Sequence, residues 1–165
     1  MKHVFITVLL TLFYSFANAQ SCKELVNKDL YQGSYFLEEP ILLQQGDAEF
    51  LKIYLSVPKD KSMVKWTFEA HGANCIGEGS LIDIVFTDQT KMWMYNVAPY
   101  NCEEQSVMYF GAIYKTEKQL RVLCTKYISI IRVYGVSRLS EQYLSTEQSK
   151  LLREALICMD AVRNQ

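Results

Sequence analysis

His71 and Cys75, in the segment "HGANC", come closest to a catalytic pair in this sequence. An imidazole beside a thiol is the arrangement that activates a cysteine nucleophile. The segment itself contains no carboxylate to orient the imidazole, so we interpret His71 as a turn residue. Because His71 is the only histidine after residue 19, the sequence excludes a histidine-rich metal site.

The acidic side chains give no stronger catalytic pattern. Asp83 and Asp88 have no second acidic residue at a spacing typical of acid–base catalysis. Glu38 and Glu39 are adjacent, and adjacent residues of a strand point to opposite faces of the sheet. We therefore predict no enzymatic activity, no cofactor and no metal.

The charge of the chain is nearly balanced. It has 17 lysines and arginines against 18 aspartates and glutamates, without a run of basic residues. This composition does not favour nucleic acid or an acidic membrane surface as a partner.

The first 19 residues have the pattern of a secretory signal peptide. Lys2 precedes a mostly apolar, uncharged stretch, and "ANA" provides small residues before an expected cleavage after Ala19. The apolar stretch is too short for a membrane span, and no second one follows. We expect a secreted, extracellular protein whose residues 20–165 form a single domain.

Residues 33–139 are predicted to be almost entirely strands. In "VKWTFEA", for example, apolar and polar side chains alternate. The eight predicted strands are 35–43, 50–57, 64–70, 80–87, 92–97, 107–115, 119–125 and 128–136. Short connections favour antiparallel hairpins, and closing eight such strands removes both exposed edges. We expect an all-β, eight-stranded antiparallel up-and-down barrel.

After residue 144 the spacing of the apolar residues changes from that of a strand to that of a helix. Ser145 and Gln148 form a predicted capping box, and apolar residues then recur at helical spacing. These apolar residues are Leu151, Leu152, Ala155, Cys158, Met159 and Val162. We expect an amphipathic C-terminal α-helix packed on the outside of the barrel.

The side chains predicted to face the barrel interior are mostly bulky, apolar or aromatic. They are Ile53, Leu55, Trp66, Phe68, Ile82, Ile84, Phe86, Trp93, Tyr95 and Tyr109. Such a wall favours a small hydrophobic or aromatic ligand, oriented by tyrosine hydroxyls. The alternative is that the same side chains fill a core that has no cavity.

The signal peptide, a Gly-x-aromatic motif, eight strands and a final helix together resemble a lipocalin. Gly33 and Tyr35 stand where that family has Gly-x-Trp, after the lead-in "CKELVNKDLYQ". Thr116 and Glu117, in "AIYKTEKQLRVLC", fall in the turn where the family has Thr-Asp-Tyr. Arg138, in "VYGVSRLS", matches the family's arginine after the last strand. The resemblance covers nearly the whole chain after the signal peptide.

The resemblance implies a contact between Arg138 and Tyr35. In lipocalins this arginine packs on the tryptophan ring and closes the narrow end of the barrel. A guanidinium over an aromatic face stabilises by about 0.5–2 kcal/mol.

Five widely spaced cysteines favour structural disulfides in an exported protein, and their odd number leaves at least one thiol free or joined to another molecule. The resemblance implies the pairs Cys22–Cys124 and Cys75–Cys158. Cys102 then remains for a disulfide-linked dimer. A Cys75–Cys102 disulfide between neighbouring hairpins stays open as an alternative.

The resulting hypothesis is a secreted, lipocalin-like protein that carries or scavenges a small hydrophobic molecule in the barrel cavity. The alternative is a protein-interaction or inhibitor role, without a small ligand, through the loops "HGANCIGEG" and "APYNCEE". Neither hypothesis involves nucleic acid or a membrane span.

Overall fold

The computed structural model describes residues 22, 25–29, 31–45 and 49–165, with residues 44, 45 and 49 described in their backbone only. The predicted signal peptide and its cleavage site lie outside the described residues. Within the described part of the chain, no helix is both long and apolar enough to cross a membrane.

Ten antiparallel strands form two sheets in the part of the chain that the structure describes. The strands are β1 (Val26–Lys28), β2 (Tyr35–Leu37), β3 (Ile41–Gln45), β4 (Glu49–Val57), β5 (Val64–Ala70), β6 (Leu81–Phe86), β7 (Lys91–Tyr95), β8 (Gln105–Phe110), β9 (Ile128–Tyr134) and β10 (Leu139–Tyr143). The first sheet has the order β1-β2-β4-β5-β8, with β3 also paired to β4, and the second has the order β10-β9-β6-β7. The predicted antiparallel β-structure is confirmed, but these two sheets are not closed into the expected eight-stranded barrel.

The predicted strand 119–125 is wrong. These residues belong to helix α1 (Glu117–Thr125), which follows a short 3₁₀ helix (Ala112–Tyr114). Leu120 and Leu123 lie three residues apart, so one helical face carries both, and both are buried. A strand would have directed them to opposite faces of the sheet.

Two local predictions are confirmed. Every second residue of β5 is buried, starting at Val64. The second helix, α2 (Thr146–Arg163), begins with the predicted capping box. The Ser145 hydroxyl accepts the Gln148 N–H at 3.2 Å, and the Gln148 side chain accepts the Ser145 N–H at 2.9 Å.

Helix α2 packs against both sheets and does not lie on the outer wall of a barrel. It contacts β4 and β5 of the first sheet, β9 of the second sheet, and α1. Leu152, Leu156 and Met159 are fully buried and share one core with the apolar faces of both sheets. Each such side chain stabilises the fold by about 1.5–3 kcal/mol. Leu151, which the spacing assigned to the apolar stripe, is instead 39 % exposed.

The disulfides differ from the pairs that the resemblance implied. Cys22 pairs with Cys158, Cys75 pairs with Cys102, and Cys124 is the free thiol among the described cysteines. Cys124 lies in helix α1, so it does not occupy the strand position from which it was expected to reach the N-terminal segment. An isolated β-bridge holds the loops of Cys75 and Cys102 together. Cys102 therefore has no thiol for an intermolecular disulfide.

The predicted contact between Arg138 and Tyr35 is not formed. The Tyr35 ring instead faces the ammonium groups of Lys28 and Lys61, which lie 5.5 and 5.7 Å from its centroid. Arg138 is exposed in the turn between β9 and β10, which belong to the other sheet. Gly33 has a φ of 68°, a conformation that favours glycine, in the turn before β2. Gly33 is therefore a turn residue, although the predicted contact between Tyr35 and Arg138 is not formed.

Candidate functional site

Seven of the ten side chains predicted to line a ligand site lie in the core. Ile53, Leu55, Trp66, Phe68, Ile82, Ile84 and Phe86 are each at most 1 % exposed and belong to one hydrophobic cluster. The Trp66 ring packs on those of Phe68 and Phe110, with centroids 4.9 and 5.9 Å apart. In this structure these seven side chains form a packed interior.

The register of β6 and β7 places Trp93 and Tyr95 on the opposite face of the sheet. Ile82 is directly paired with Met94, and Asp83 is directly paired with Trp93. Directly paired residues share a face, so Met94 faces the core with Ile82. Trp93 and Tyr95 therefore face outward, where they are 64 % and 59 % exposed.

Trp93, Tyr95 and Tyr109 meet at a groove between the two sheets. We define this aromatic groove as the space lined by Trp93, Met94, Tyr95, Val97, Met108, Tyr109, Phe110, Tyr114, Thr116 and Gln119. Its volume is about 290 Å³, near the lower end for small-molecule sites. On one side the rings of Tyr109 and Tyr114 pack with centroids 4.9 Å apart. The lining includes no charged side chain.

The groove exists because β7 and β8 approach each other at one end only. After β7, the Val97 N–H donates to the Val107 carbonyl at 2.9 Å. The Asn96 side chain accepts the Val107 N–H at 2.8 Å. Along β7 itself no ladder joins the two strands, which are the edges of different sheets. The space between these edges is the aromatic groove.

The two strands that flank the groove differ in their free backbone groups. Hydrogen bonds at both ends of the β6–β7 hairpin fix which residues of β7 bond to β6. By the alternation of antiparallel ladders, the N–H and C=O groups of Lys91, Trp93 and Tyr95 point away from β6. The facing edge of β8 is partly occupied, because the Thr116 hydroxyl donates to the Tyr109 carbonyl at 2.8 Å. Most of the backbone groups left free along the groove therefore belong to β7.

A second depression continues along β7 beyond the aromatic groove. We define this lysine recess, of about 380 Å³, as the space lined by Phe86, Thr90, Lys91, Met92, Lys118, Gln119, Val122 and Lys126. Gln119 lines both depressions, and its buried Oε1 has no hydrogen-bond partner among the described residues. Lys126 pairs with Asp88 at 2.7 Å. Among the ion pairs of the described residues, none involves Lys91 or Lys118.

A row of charged side chains lies beside Trp93 on the outward face of the second sheet. Asp83, Arg132 and Glu141 hold neighbouring positions on β6, β9 and β10. The Arg132 Nη1 lies 3.1 Å from the Asp83 Oδ2, and the Arg132 Nε donates to Glu141. Hydrogen bonds from Tyr143 and then Arg132 lower the pKa of Glu141. The sequence showed no partner for Asp83 because Arg132 is 49 residues away.

His71 has the orienting carboxylate that the segment "HGANC" itself lacks. The Glu104 Oε2 lies 2.9 Å from the His71 Nδ1, and the Phe50 ring stacks on the imidazole at 4.8 Å. Cys75 is bonded to Cys102, so the thiol that a cysteine nucleophile requires is not present. The histidine and the disulfide instead connect the two loops that were predicted as an interaction surface.

A larger depression of about 500 Å³ lies between α2 and the N-terminal segment. Leu25, which lines it, directly follows two residues outside the described part of the chain. The aromatic groove, in contrast, is lined by described residues throughout.

No family model, no curated protein and no solved structure matches this chain. The resemblance to lipocalins therefore stays a prediction.

Proposed function

We propose that the protein is an exported binding protein that takes a small, largely apolar ligand in the aromatic groove. The observation that carries this proposal is the convergence of Trp93, Tyr95 and Tyr109 on one groove. Aromatic side chains supply large apolar surfaces and define the orientation of a bound ring or chain. The two intrachain disulfides are typical of a protein from an oxidising compartment, which supports export.

The composition of the groove suits a ligand with little polar surface. Its walls are aromatic, and Met94 and Met108 contribute unbranched, polarizable side chains that adapt to irregular shapes. Trp93 and Tyr95 are exposed, so a bound apolar molecule would remove part of their surface from water. This burial is the main driving force that we assign to binding.

The ligand is of the class expected for a barrel cavity, but its site lies at a sheet edge. The packed core contains Trp66 and Phe68, neither of which has exposed surface. The ligand site is instead at the gap between β7 and β8. A carrier or scavenger role requires a ligand to enter and leave, and an open groove at a sheet edge allows both.

Titration with decan-1-ol, followed by tryptophan fluorescence, tests the proposal. The two tryptophans differ in their exposure to solvent, since Trp66 is 0 % and Trp93 is 64 % exposed. We expect a saturable change in emission that is lost in Trp93→Phe. By calorimetry, Tyr109→Ala should weaken binding by about tenfold, equivalent to about 1.4 kcal/mol.

Tyr31→Ala is the matched control, because Tyr31 is fully exposed and does not line the groove. It should leave the affinity unchanged. An equal effect of Tyr31→Ala and Tyr109→Ala, or no saturable binding in the wild-type protein, would contradict the proposed site.

A further inference from the structure

We infer that the ligand carries a single anionic head group, which binds in the lysine recess while the apolar body lies in the aromatic groove. This inference rests on the proposed function, because it specifies the chemical class of the ligand of the same groove. The occupant is a monomeric amphiphile with a carboxylate or similar head.

The two depressions lie end to end along one strand. Lys91 lines the lysine recess, and Trp93 and Tyr95, farther along β7, line the aromatic groove. Gln119 lies where the depressions adjoin, since it lines both. At the rise of a β-strand, Lys91 to Tyr95 spans about 13 Å. An elongated molecule of this length would contact both depressions at once.

Among the residues that line the two depressions, the charged ones are confined to the lysine recess. Lys91 belongs to β7 and Lys118 to α1, and both side chains line the recess. Lys126 also lines the recess but is engaged with Asp88 at 2.7 Å. Two lysines thus remain to neutralise a ligand charge, and the aromatic groove has no charged side chain.

The neighbouring acidic groups do not favour a cationic head. Asp88 is bound to Lys126, and Glu117, at the start of α1, lies 3.3 Å from Arg163. The Gln119 amide adds a neutral polar group between the two depressions, and its Oε1 is buried without a hydrogen-bond partner in the part of the chain that the structure describes. Rotation of this amide would present either an N–H donor or a carbonyl acceptor to the ligand. The aromatic groove thus suits an apolar tail, and the lysine recess suits an anionic head group.

Three probes of equal chain length test this inference: decanoate, decan-1-ol and decylammonium, each kept below its critical micelle concentration. Decanoate should bind about tenfold more tightly than decan-1-ol, as expected for two solvent-exposed charge contacts. Decylammonium should bind the least tightly. The advantage of decanoate should shrink as salt is added, because exposed charges are screened.

The double variant Lys91→Gln with Lys118→Gln should remove the preference for decanoate, so that decanoate and decan-1-ol bind with about the same affinity. Lys59→Gln is the control, because Lys59 is exposed and lies outside both depressions. Trp93→Leu should weaken binding of all three probes by a similar factor.

The outcomes separate this inference from the proposed function. Equal affinities for decanoate and decan-1-ol, or tighter binding of decylammonium, would overturn the anionic head and leave an apolar groove. A preference for decanoate that survives in the double lysine variant would overturn the lysine recess as its binding site. Absence of binding by all three probes would overturn the proposed function together with the inference.

Discussion

The Asp83 carboxylate lies 3.1 Å from the Arg132 guanidinium on the outward face of the second sheet. Asp83 is only 5 % exposed although this face meets solvent. Its Oδ1 has no hydrogen-bond partner among the described residues, so Arg132 provides the neighbouring positive charge from β9. A buried carboxylate without such a partner is costly.

Removal of the guanidinium should therefore destabilise the protein through Asp83. We expect Arg132→Met to lower the free energy of unfolding by about 2–4 kcal/mol, measured by urea denaturation. Arg138→Met is the matched control, because Arg138 is exposed in a turn and should change stability by less than about 0.5 kcal/mol. Combining Asp83→Asn with Arg132→Met should restore part of the loss. Equal effects of the two arginine variants would refute the role of the ion pair.

Gly135 is required where the β9–β10 turn crosses the loop that precedes Cys75. An added Cβ would lie 1.8 Å from the Ala73 carbonyl oxygen, which is a backbone atom and has little freedom to move. We expect Gly135→Ala to destabilise the fold by about 3 kcal/mol in thermal or urea unfolding. Gly77→Ala is the control, since its Cβ would lie at an ordinary 3.7 Å from the Tyr100 ring. Similar unfolding midpoints for the two variants would argue against this contact.

The two disulfides should differ in their contribution to stability. Cys22–Cys158 joins residues 136 positions apart, and Cys75–Cys102 joins residues 27 positions apart. In the chain-entropy description their removal costs about 5 and about 3.5 kcal/mol, respectively. Paired alanine variants, Cys22→Ala with Cys158→Ala and Cys75→Ala with Cys102→Ala, allow comparison by equilibrium unfolding. A larger loss from the shorter loop would show that native-state contacts, and not loop closure, dominate.

Cys124 should be the one thiol that reacts in the unfolded chain and should be inert in the folded one. Burial, with a further contribution from the charge of Asp160, raises the pKa of the Cys124 thiol to about 12. The thiolate is the reactive form, so alkylation by iodoacetamide near neutral pH should be slow. In denaturant without reductant, labelling and peptide mapping should find one alkylated cysteine, at Cys124. Label at Cys102 would instead restore the pairing that the resemblance implied.

The ionised Asp88 carboxylate should stabilise the folded protein at pH values above its pKa. Hydrogen bonds from Lys126 and then Thr90 lower the pKa of Asp88 to about 2. Because the folded pKa lies below the unfolded value of about 3.9, this stabilisation is present above about pH 4 and is lost as the pH falls through about 2. Asp88→Asn keeps the oxygen that accepts the Thr90 N–H but removes the charge. It should lower the melting temperature slightly at neutral pH, and this difference should shrink as the pH falls through about 2. A difference that persists at the lower pH would rule out the charge as its cause.

Local patterns in the sequence predicted the elements whose structure depends on near neighbours. The alternation in β5 is confirmed because its side chains pack on one side and meet solvent on the other. The capping box at Ser145 and Gln148 is confirmed because both hydrogen bonds form within one turn of helix. The prediction of a strand at 119–125 is wrong because Leu120 and Leu123 pack on one face of a helix against the rest of the core.

The candidate site could be predicted only in its residue types. Trp93, Tyr95 and Tyr109, which the sequence predicts to face a barrel interior, instead line a groove between the edges of two sheets. Strand alternation places Trp93 and Tyr95 on one face of β7, but it does not show which of two apolar faces is inward. In β7, Met92 and Met94 alternate with Trp93 and Tyr95, so both faces are apolar.

The sequence by itself determined an antiparallel β-rich chain with a capped C-terminal helix, since these features follow from side-chain periodicity and hydrogen bonds between close neighbours. Only the tertiary structure decided that Trp93 faces outward, because that depends on the pairing of β7 with β6. It also decided that Cys158 meets Cys22, because the position of α2 against both sheets sets that distance. The gap between β7 and β8 is likewise a property of two sheet edges that pairing brings near each other at one end only.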